Sequence, residues 1–204
     1  MRFLTVAVHA ALLLTVALQP AHAIKSIDPS EITESKVTLL DVSENGAAAK
    51  SFSAATIIGA PIDKLCAQLQ RYADYPAFMP NTDSVKISQS APTHSVIDVT
   101  LKLPMGKIKK YRLKMEPKVT PTSCVLAWKL VSWPGLKQEE TIADTTGQWQ
   151  LTPSAVAGKT LVRYDVRTEP GPIPFGFGWI VDSLSKDSIP QTLEALRKRA
   201  AASN

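Results

Sequence analysis

Between residues 97 and 166, apolar and polar residues trade places one for one. Ile97, Val99, Leu101 and Leu103 alternate with Asp98, Thr100 and Lys102, and Tyr111, Leu113 and Met115 alternate with Lys110, Arg112 and Lys114. Leu126, Trp128 and Leu130 continue the pattern, followed by Trp149 with Leu151 and by Val162, Tyr164 and Val166. Side chains along a strand point to opposite faces with period two, so this alternation dictates an antiparallel sheet with one dry face and one wet face. Pro104-Met105-Gly106, Pro121, Pro134-Gly135, Pro153 and Gly158 fall between the runs, where turns are needed.

A sheet with one dry face must be covered. The chain after Glu169-Pro170-Gly171-Pro172 reads as a helix whose inward stripe is Trp179, Ile180, Leu184, Leu193 and Leu196. It is the only predicted element long enough to cover the sheet. Pro190 is expected to kink or split it, with Ser188 capping a second piece, because proline removes one helix hydrogen bond and clashes with the preceding turn.

Upstream, residues 36–42 and 51–59 read as strands joined by a Glu44-Asn45-Gly46 turn. Pro61 is expected at the first helical position. Ile62, Leu65, Cys66 and Leu69 then form one face of a short helix, and Tyr75-Pro76-Ala77-Phe78-Met79-Pro80 follows as a second short turn rich in aromatic and flexible side chains. The fold class is therefore α+β: a curved antiparallel sheet wrapped around a long C-terminal helix, with two short helices after the first strands.

The N-terminus has Arg2, an uncharged and almost wholly apolar run over residues 3–18, and Ala21-His22-Ala23. This is the layout of a secretory signal peptide cleaved after Ala23, and the run is shorter than the ~20 residues a membrane span needs. The organisation expected is a signal peptide (1–23), a flexible leader (24–35) and one ligand-binding domain (36–202), in a periplasmic or secreted protein. Lys and Arg outnumber Asp and Glu 23 to 18. The signal segment would take one Arg and no acid with it, so the net charge would fall from +5 to +4. Export permits a Cys66–Cys124 disulfide; two separately buried thiols satisfy the sequence equally well.

His94 is the one histidine outside the signal segment, and it sits in a Pro92-Thr93 turn, a poor place for a catalytic base. No Cys/His/carboxylate spacing matches a metal site, and neither a phosphate loop nor a dinucleotide fingerprint occurs. Asp98, Asp144 and Asp165 take outward parity. These observations predict no catalytic residues, no metal and no cofactor. Lys107, Lys109, Lys110, Arg112, Lys114 and Lys118 read as the solvated face of an amphipathic strand, with transient contact to a membrane surface as the alternative; no nucleic-acid module is present.

Several stretches resemble the START-like (SRPBCC) superfamily, most closely its polyketide cyclase/coenzyme Q-binding branch. They are Ala60-Pro61-Ile62-Asp63, Leu69, the run Tyr72-Ala73-Asp74-Tyr75-Pro76-Ala77-Phe78-Met79-Pro80-Asn81, Gly147-Gln148-Trp149-Gln150-Leu151, and Pro172-Ile173-Pro174. The resemblance spans roughly residues 48–200. It departs at the first helix, where many members carry Trp and this chain has Leu65 or Cys66, and at Pro190. It implies a helix-grip fold holding a hydrophobic small molecule (a lipid, an isoprenoid quinone or a polycyclic compound) between sheet and terminal helix. Periodicity alone makes an inward aromatic stripe a core; the resemblance makes it a cavity lining. The lining set it implies is Tyr75, Phe78, Met79, Leu101, Leu103, Tyr111, Leu113, Met115, Trp128, Leu130, Trp149, Tyr164, Trp179, Ile180 and Leu184. The alternative activity is that of a cyclase/dehydratase in which Tyr111 or Tyr164 polarises a carbonyl.

Overall fold

The structure is a computed structural model that describes residues 25–172 and 178–202, with the side chains of the last helix described from Lys186 onward. Eight strands form one antiparallel sheet. β1 (Thr38–Asp41) and β2 (Lys50–Ile58) precede α1 (Ile62–Gln70) and a 3-10 turn (Tyr72–Ala77). β3 (Thr82–Ala91), β4 (His94–Lys102), β5 (Ile108–Thr120), β6 (Ser123–Val131), β7 (Asp144–Pro153) and β8 (Thr160–Glu169) then meander, and α2 (Gly178–Ala202) closes the chain. β8 pairs with β2, so the sheet order is β1-β2-β8-β7-β6-β5-β4-β3.

The period-two pattern lands as expected. Phe52, Ala54 and Ile58 of β2, Ile97 and Val99 of β4, Leu126 of β6, Leu151 of β7 and Val162 of β8 are buried on one face, where Leu193 and Leu196 of α2 join them. The opposite face carries the charged partners. Asp98 accepts two hydrogen bonds from Arg112, at 2.6 and 2.9 Å, and Arg167 pairs with Asp144 at 2.9 Å.

Four local expectations are corrected or decided. Pro61 stands just before α1 rather than at its first position. α2 runs without interruption through Pro190. A proline forfeits one backbone hydrogen bond, whereas Ile189, Leu193 and Leu196 on either side of it are buried against the sheet and hold the helix as one piece. Ser188 is thus mid-helix, and its carbonyl accepts from the Thr192 hydroxyl at 2.8 Å. The stretch expected to be a flexible leader is packed: Ile27 and Ile32 are buried against Ala55, beside Leu40, Ile57 and Leu161. At this corner the outer face of β1, β2 and β8 is itself apolar and needs a cover. The Ile57 N–H donates to the Thr33 carbonyl at 3.0 Å, and the Thr38 hydroxyl to the Glu31 carbonyl at 2.8 Å. Finally, Cys66 of α1 and Cys124 of β6 form a disulfide, with Cα atoms 6.1 Å apart.

The far end of α2 is tied to the Tyr72–Ala77 turn. Arg199 donates to Asp74 at 3.0 Å and lies over the Phe78 ring at 4.8 Å, and the Gln68 amide reaches the Arg199 carbonyl at 3.5 Å.

Candidate functional site

The concave face is not filled along its whole length. Toward the end of the sheet where β3 starts and β8 finishes, a cavity of about 160 Å³ remains. From the predicted set, Tyr75, Met79, Tyr111, Leu113, Met115, Trp128, Trp149 and Tyr164 line it.

Phe78, Leu101, Leu103 and Leu130 lie elsewhere. Phe78 is wedged edge-on against Tyr75 at 5.5 Å and beneath Arg199, inside the packing of the 3-10 turn. Leu101 and Leu130 sit near strand ends, half-buried against the core margin. Leu103 follows the last residue of β4 and is half-buried. Trp179, Ile180 and Leu184 belong to the part of α2 whose side chains lie outside the described residues.

The lining also includes residues absent from the predicted set: Thr82, Ile97, Val99, Ile142, Thr145, Val166 and Thr168. Parity would have reached Thr145 by counting back from Trp149, and Thr168 by counting on from Val166. Their polarity concealed them. The Thr145 hydroxyl bonds the Thr168 hydroxyl at 2.9 Å and the Arg167 carbonyl at 3.1 Å, so both threonines meet the cavity with their polar atoms already engaged.

The aromatic wall is built around Tyr164. Trp128 stacks on it with ring centroids 5.4 Å apart, and Trp149 lies tilted against it at 4.5 Å. Gly147 makes room for this. It pairs with Trp128 across β6 and β7, at an inward position. A Cβ there would come within 2.3 Å of both the Trp128 indole and the Asp165 carbonyl oxygen. A strand glycine that permits such close approach lets the indole lie over bare backbone.

Three tyrosines line the cavity, and their hydroxyls are not equivalent. Tyr75 donates to the Leu69 carbonyl at 2.6 Å. Tyr111 and Tyr164 have no hydrogen-bond partner among the described residues, although each hydroxyl can donate and accept. Burial pushes the ionisation of all three above the ordinary tyrosine range; Tyr111 adds to the effect on Tyr164, and Tyr72 and Tyr164 add to that on Tyr75. At neutral pH they are protonated donors. Tyr111 stands on β5 and Tyr164 on β8, with β6 and β7 between them.

No carboxylate or histidine lines the cavity among the described residues. Asp98 is held below the usual carboxylate range, first by the Arg112 hydrogen bonds, on the wet face. Asp165 accepts from Ser53 at 2.6 Å on that same face, and His94 begins β4 at a hairpin. No group of three His, Cys, Asp or Glu among the described residues could hold a metal ion. One member of the basic run departs from the outward pattern. Lys109 has inward parity and donates to the carbonyls of Glu139 and Thr141, at 2.9 and 2.7 Å, anchoring the β6–β7 connection next to Ile142. A wider hollow of about 1170 Å³ lies on the outer face beside Lys25–Ile27 and the β1–β2 turn; its walls include Ser51, Ser53, Gln150, Arg163 and Asp165, a wet polar surface unsuited to an apolar ligand.

No protein-family model and no curated protein matches the sequence. Solved structures do match the fold. A STAR-related lipid transfer protein from Xanthomonas axonopodis (fragment 25–204) aligns with a TM-score of 0.70 at 18% identity, over 81% of this chain and 94% of that one. Human StAR-related lipid transfer protein 5 aligns at 0.69 and 14% identity, over 82% and 83%. The Zhui aromatase/cyclase from Streptomyces sp. R1128 aligns at 0.59 and 13% identity, over 75% and 94%. The chain has the START-like helix-grip fold.

Proposed function

We propose that this chain binds and carries a hydrophobic small molecule, with the apolar body of the ligand in the cavity beside Trp128 and Met115 and one ligand oxygen between the hydroxyls of Tyr111 and Tyr164. The observation that carries the reading is a largely apolar cavity lined by two tyrosines whose hydroxyls have no partner among the described residues. Both tyrosines are half-buried, and a hydrogen bond from one of their hydroxyls to a ligand carbonyl or hydroxyl would contribute about 0.5–1.5 kcal/mol. Such a cavity selects a molecule that is mostly hydrocarbon or ring, with a sparse polar end: an acyl lipid, an isoprenoid quinone or a polycyclic compound. Ligands of that size need roughly 300 Å³ or more, so binding must widen the 160 Å³ present. Met79 and Met115, unbranched and adaptable, are the lining residues best able to yield. Two of the neighbouring structures are lipid transfer proteins by name.

The same two hydroxyls favour a second reading. A protonated tyrosine aimed at a bound carbonyl polarises it, which is what a cyclase acting on a polyketide-like substrate would require. The absence of a carboxylate or histidine from the described lining weighs toward the carrier.

Export belongs to the proposal as well. The N-terminal segment has signal-peptide layout, and the Cys66–Cys124 disulfide suits an oxidising compartment.

Native mass spectrometry of the protein drawn from the periplasm of its host, followed by organic extraction, tests the reading. A lipid or quinone held one to one is expected. A bare mass, under conditions that keep lipid carriers loaded, would overturn it. Combining Tyr111→Phe with Tyr164→Phe should weaken retention on the order of tenfold, the worth of one or two hydrogen bonds, and leave a carrier otherwise working. In an enzyme the same pair of substitutions should abolish turnover.

A further inference from the structure

We propose that the outer hollow beside the β1–β2 turn is a binding site for short polar peptides, whose two charged ends are read by Arg163 and Asp165. Both residues line that hollow. They stand two apart on β8, so they share its outer face with Cα atoms roughly 6.5–7 Å from each other. Their charges are opposite, and yet they form no ion pair with one another.

Each stays un-neutralised for its own reason. Arg163 is half-buried, and its neighbours across the ladder are Ala55 on β2 and Gln150 on β7. Ala55 has no polar side-chain atom and is buried with Ile27 and Ile32, and Gln150 carries no charge. The guanidinium has no hydrogen-bond or ion-pair partner among the described residues. Asp165 is fixed by neutral donors instead. The Ser53 hydroxyl donates to one carboxylate oxygen at 2.6 Å, and the Gln148 amide to the other at 3.4 Å. Each oxygen keeps a lone pair for a further donor. The strand thus presents an open donor fork and, beside it, a carboxylate already held in place.

The rim repeats the pairing of signs. Lys25 on the N-terminal segment and Glu44 on the β1–β2 turn are both exposed and line the hollow, without ion-pair partners among the described residues. The four charges cancel, so the hollow favours neither a polyanion nor a polycation. No aromatic side chain lines it among the described residues, so a sugar ring would find no platform to stack on. Balanced but separated opposite charges complement a zwitterion. An extended chain of two residues spans at most about 7 Å, the spacing of Arg163 and Asp165 along β8. Its carboxylate would take the guanidinium fork in a two-point contact, and its ammonium would donate to Asp165. At about 1170 Å³ the hollow is larger than the roughly 300–1,000 Å³ of ordinary small-molecule sites, which leaves room for the peptide's side chains and for a longer chain reaching Lys25 and Glu44.

The site lies on the face opposite the apolar cavity and shares no lining residue with it. The inference therefore goes beyond the carrier reading and stands or falls separately from it.

Titration of the isotope-labelled protein, followed by backbone amide chemical shifts, tests it. The probes are seryl-serine, the same dipeptide N-acetylated or C-amidated, and maltose. Seryl-serine should give saturable shifts around Ser53, Gln150 and Arg163. Blocking either end should weaken binding on the order of tenfold, the worth of a charged hydrogen bond. Arg163→Gln should cost about as much and leave the protein indifferent to C-amidation; Asp165→Asn should do the same for N-acetylation. Neither side chain belongs to the core, so the midpoint of thermal unfolding should stay at the wild-type value in both variants. Absence of a saturable shift with seryl-serine, or shifts with maltose in its place, would overturn the proposal. Variants that remain as sensitive to the two blocked ends as wild type would overturn it too.

Discussion

One concave face carries two ends that were built by the same rule and came out differently. At the disulfide end, Leu65 and Leu69 of α1, Leu126 and Leu151 of the sheet, and Leu193 and Leu196 of α2 have no accessible surface. At the other end, the same alternation along the same strands delivers Tyr111, Leu113, Trp128, Thr145, Tyr164 and Thr168 around a void. The difference is in the side chains. Leucines of similar size, met by leucines from two helices, interlock to crystal-like density. Two large rings beside a glycine and two threonines cannot tile the same width. Gly147 removes a side chain where the strand pattern calls for one, and Trp128 lies over the gap. Alternation therefore decides which face is dry, and the mixture of very large and very small residues decides whether that face is solid.

The largest effect expected from this contrast lies at the solid end. The Cys66–Cys124 bond closes a loop of sequence separation 58, worth about 4 kcal/mol by loop-closure entropy. Cys66→Ser with Cys124→Ser should lower the unfolding free energy by about that amount in chemical denaturation, and reduction of the wild type should do the same. A loss below ~1 kcal/mol would mean that α1 is held by packing alone, so that the solid end needs no cross-link.

Next in size is a matched pair of truncations. Leu151→Ala at the solid end should cost about 3–4 kcal/mol, because a fully enclosed leucine leaves an unrelieved cavity. Leu113→Ala at the hollow end should cost at least ~1 kcal/mol less, since Leu113 already lacks neighbours on its cavity side. Urea titration of both variants decides it. Equal losses would break the comparison and place Leu113 in a core as tight as that around Leu151.

The strands, their order along the chain and their inward faces were legible because parity is local: a residue's face follows from its neighbours two positions away. What failed was whatever depends on distant contacts. Leu101, Leu103 and Leu130 have the right parity but stand at strand ends, beyond the hollow. Phe78 looked like a lining residue because it sits among aromatics, and the ring that reaches the cavity is Tyr75, while Phe78 is taken up by Arg199 and the turn. Pro190 broke a local rule and was overridden by the burial of Ile189, Leu193 and Leu196. One miss had a readable sign. Ala54-Ala55-Thr56-Ile57-Ile58 does not alternate, and it is here that the outer face needs Ile27 and Ile32. A break in alternation in a strand otherwise covered on one side marks a second cover.

The smallest effect on stability at neutral pH bears most directly on the hollow end. Tyr111 and Tyr164 are half-buried, with hydroxyls that have no partner among the described residues, so Tyr111→Phe and Tyr164→Phe should leave the ligand-free protein within ~1 kcal/mol of wild type. The pH dependence gives a readout that simple loss of packing would not. The folded-state pKa of each tyrosine is raised by burial above the unfolded value of about 10. Their contribution is fully present below pH ~10 and is lost as the pH rises beyond it, because the unfolded chain then releases protons that the native state retains. Each such tyrosine should steepen the alkaline loss by up to about 1.4 kcal/mol per pH unit. The double Phe variant should therefore show a shallower decline in denaturant midpoint between pH 10 and 11 than wild type. Identical slopes would mean that water reaches both hydroxyls freely, and a hydroxyl already served by water gives a ligand oxygen no advantage at that end of the sheet.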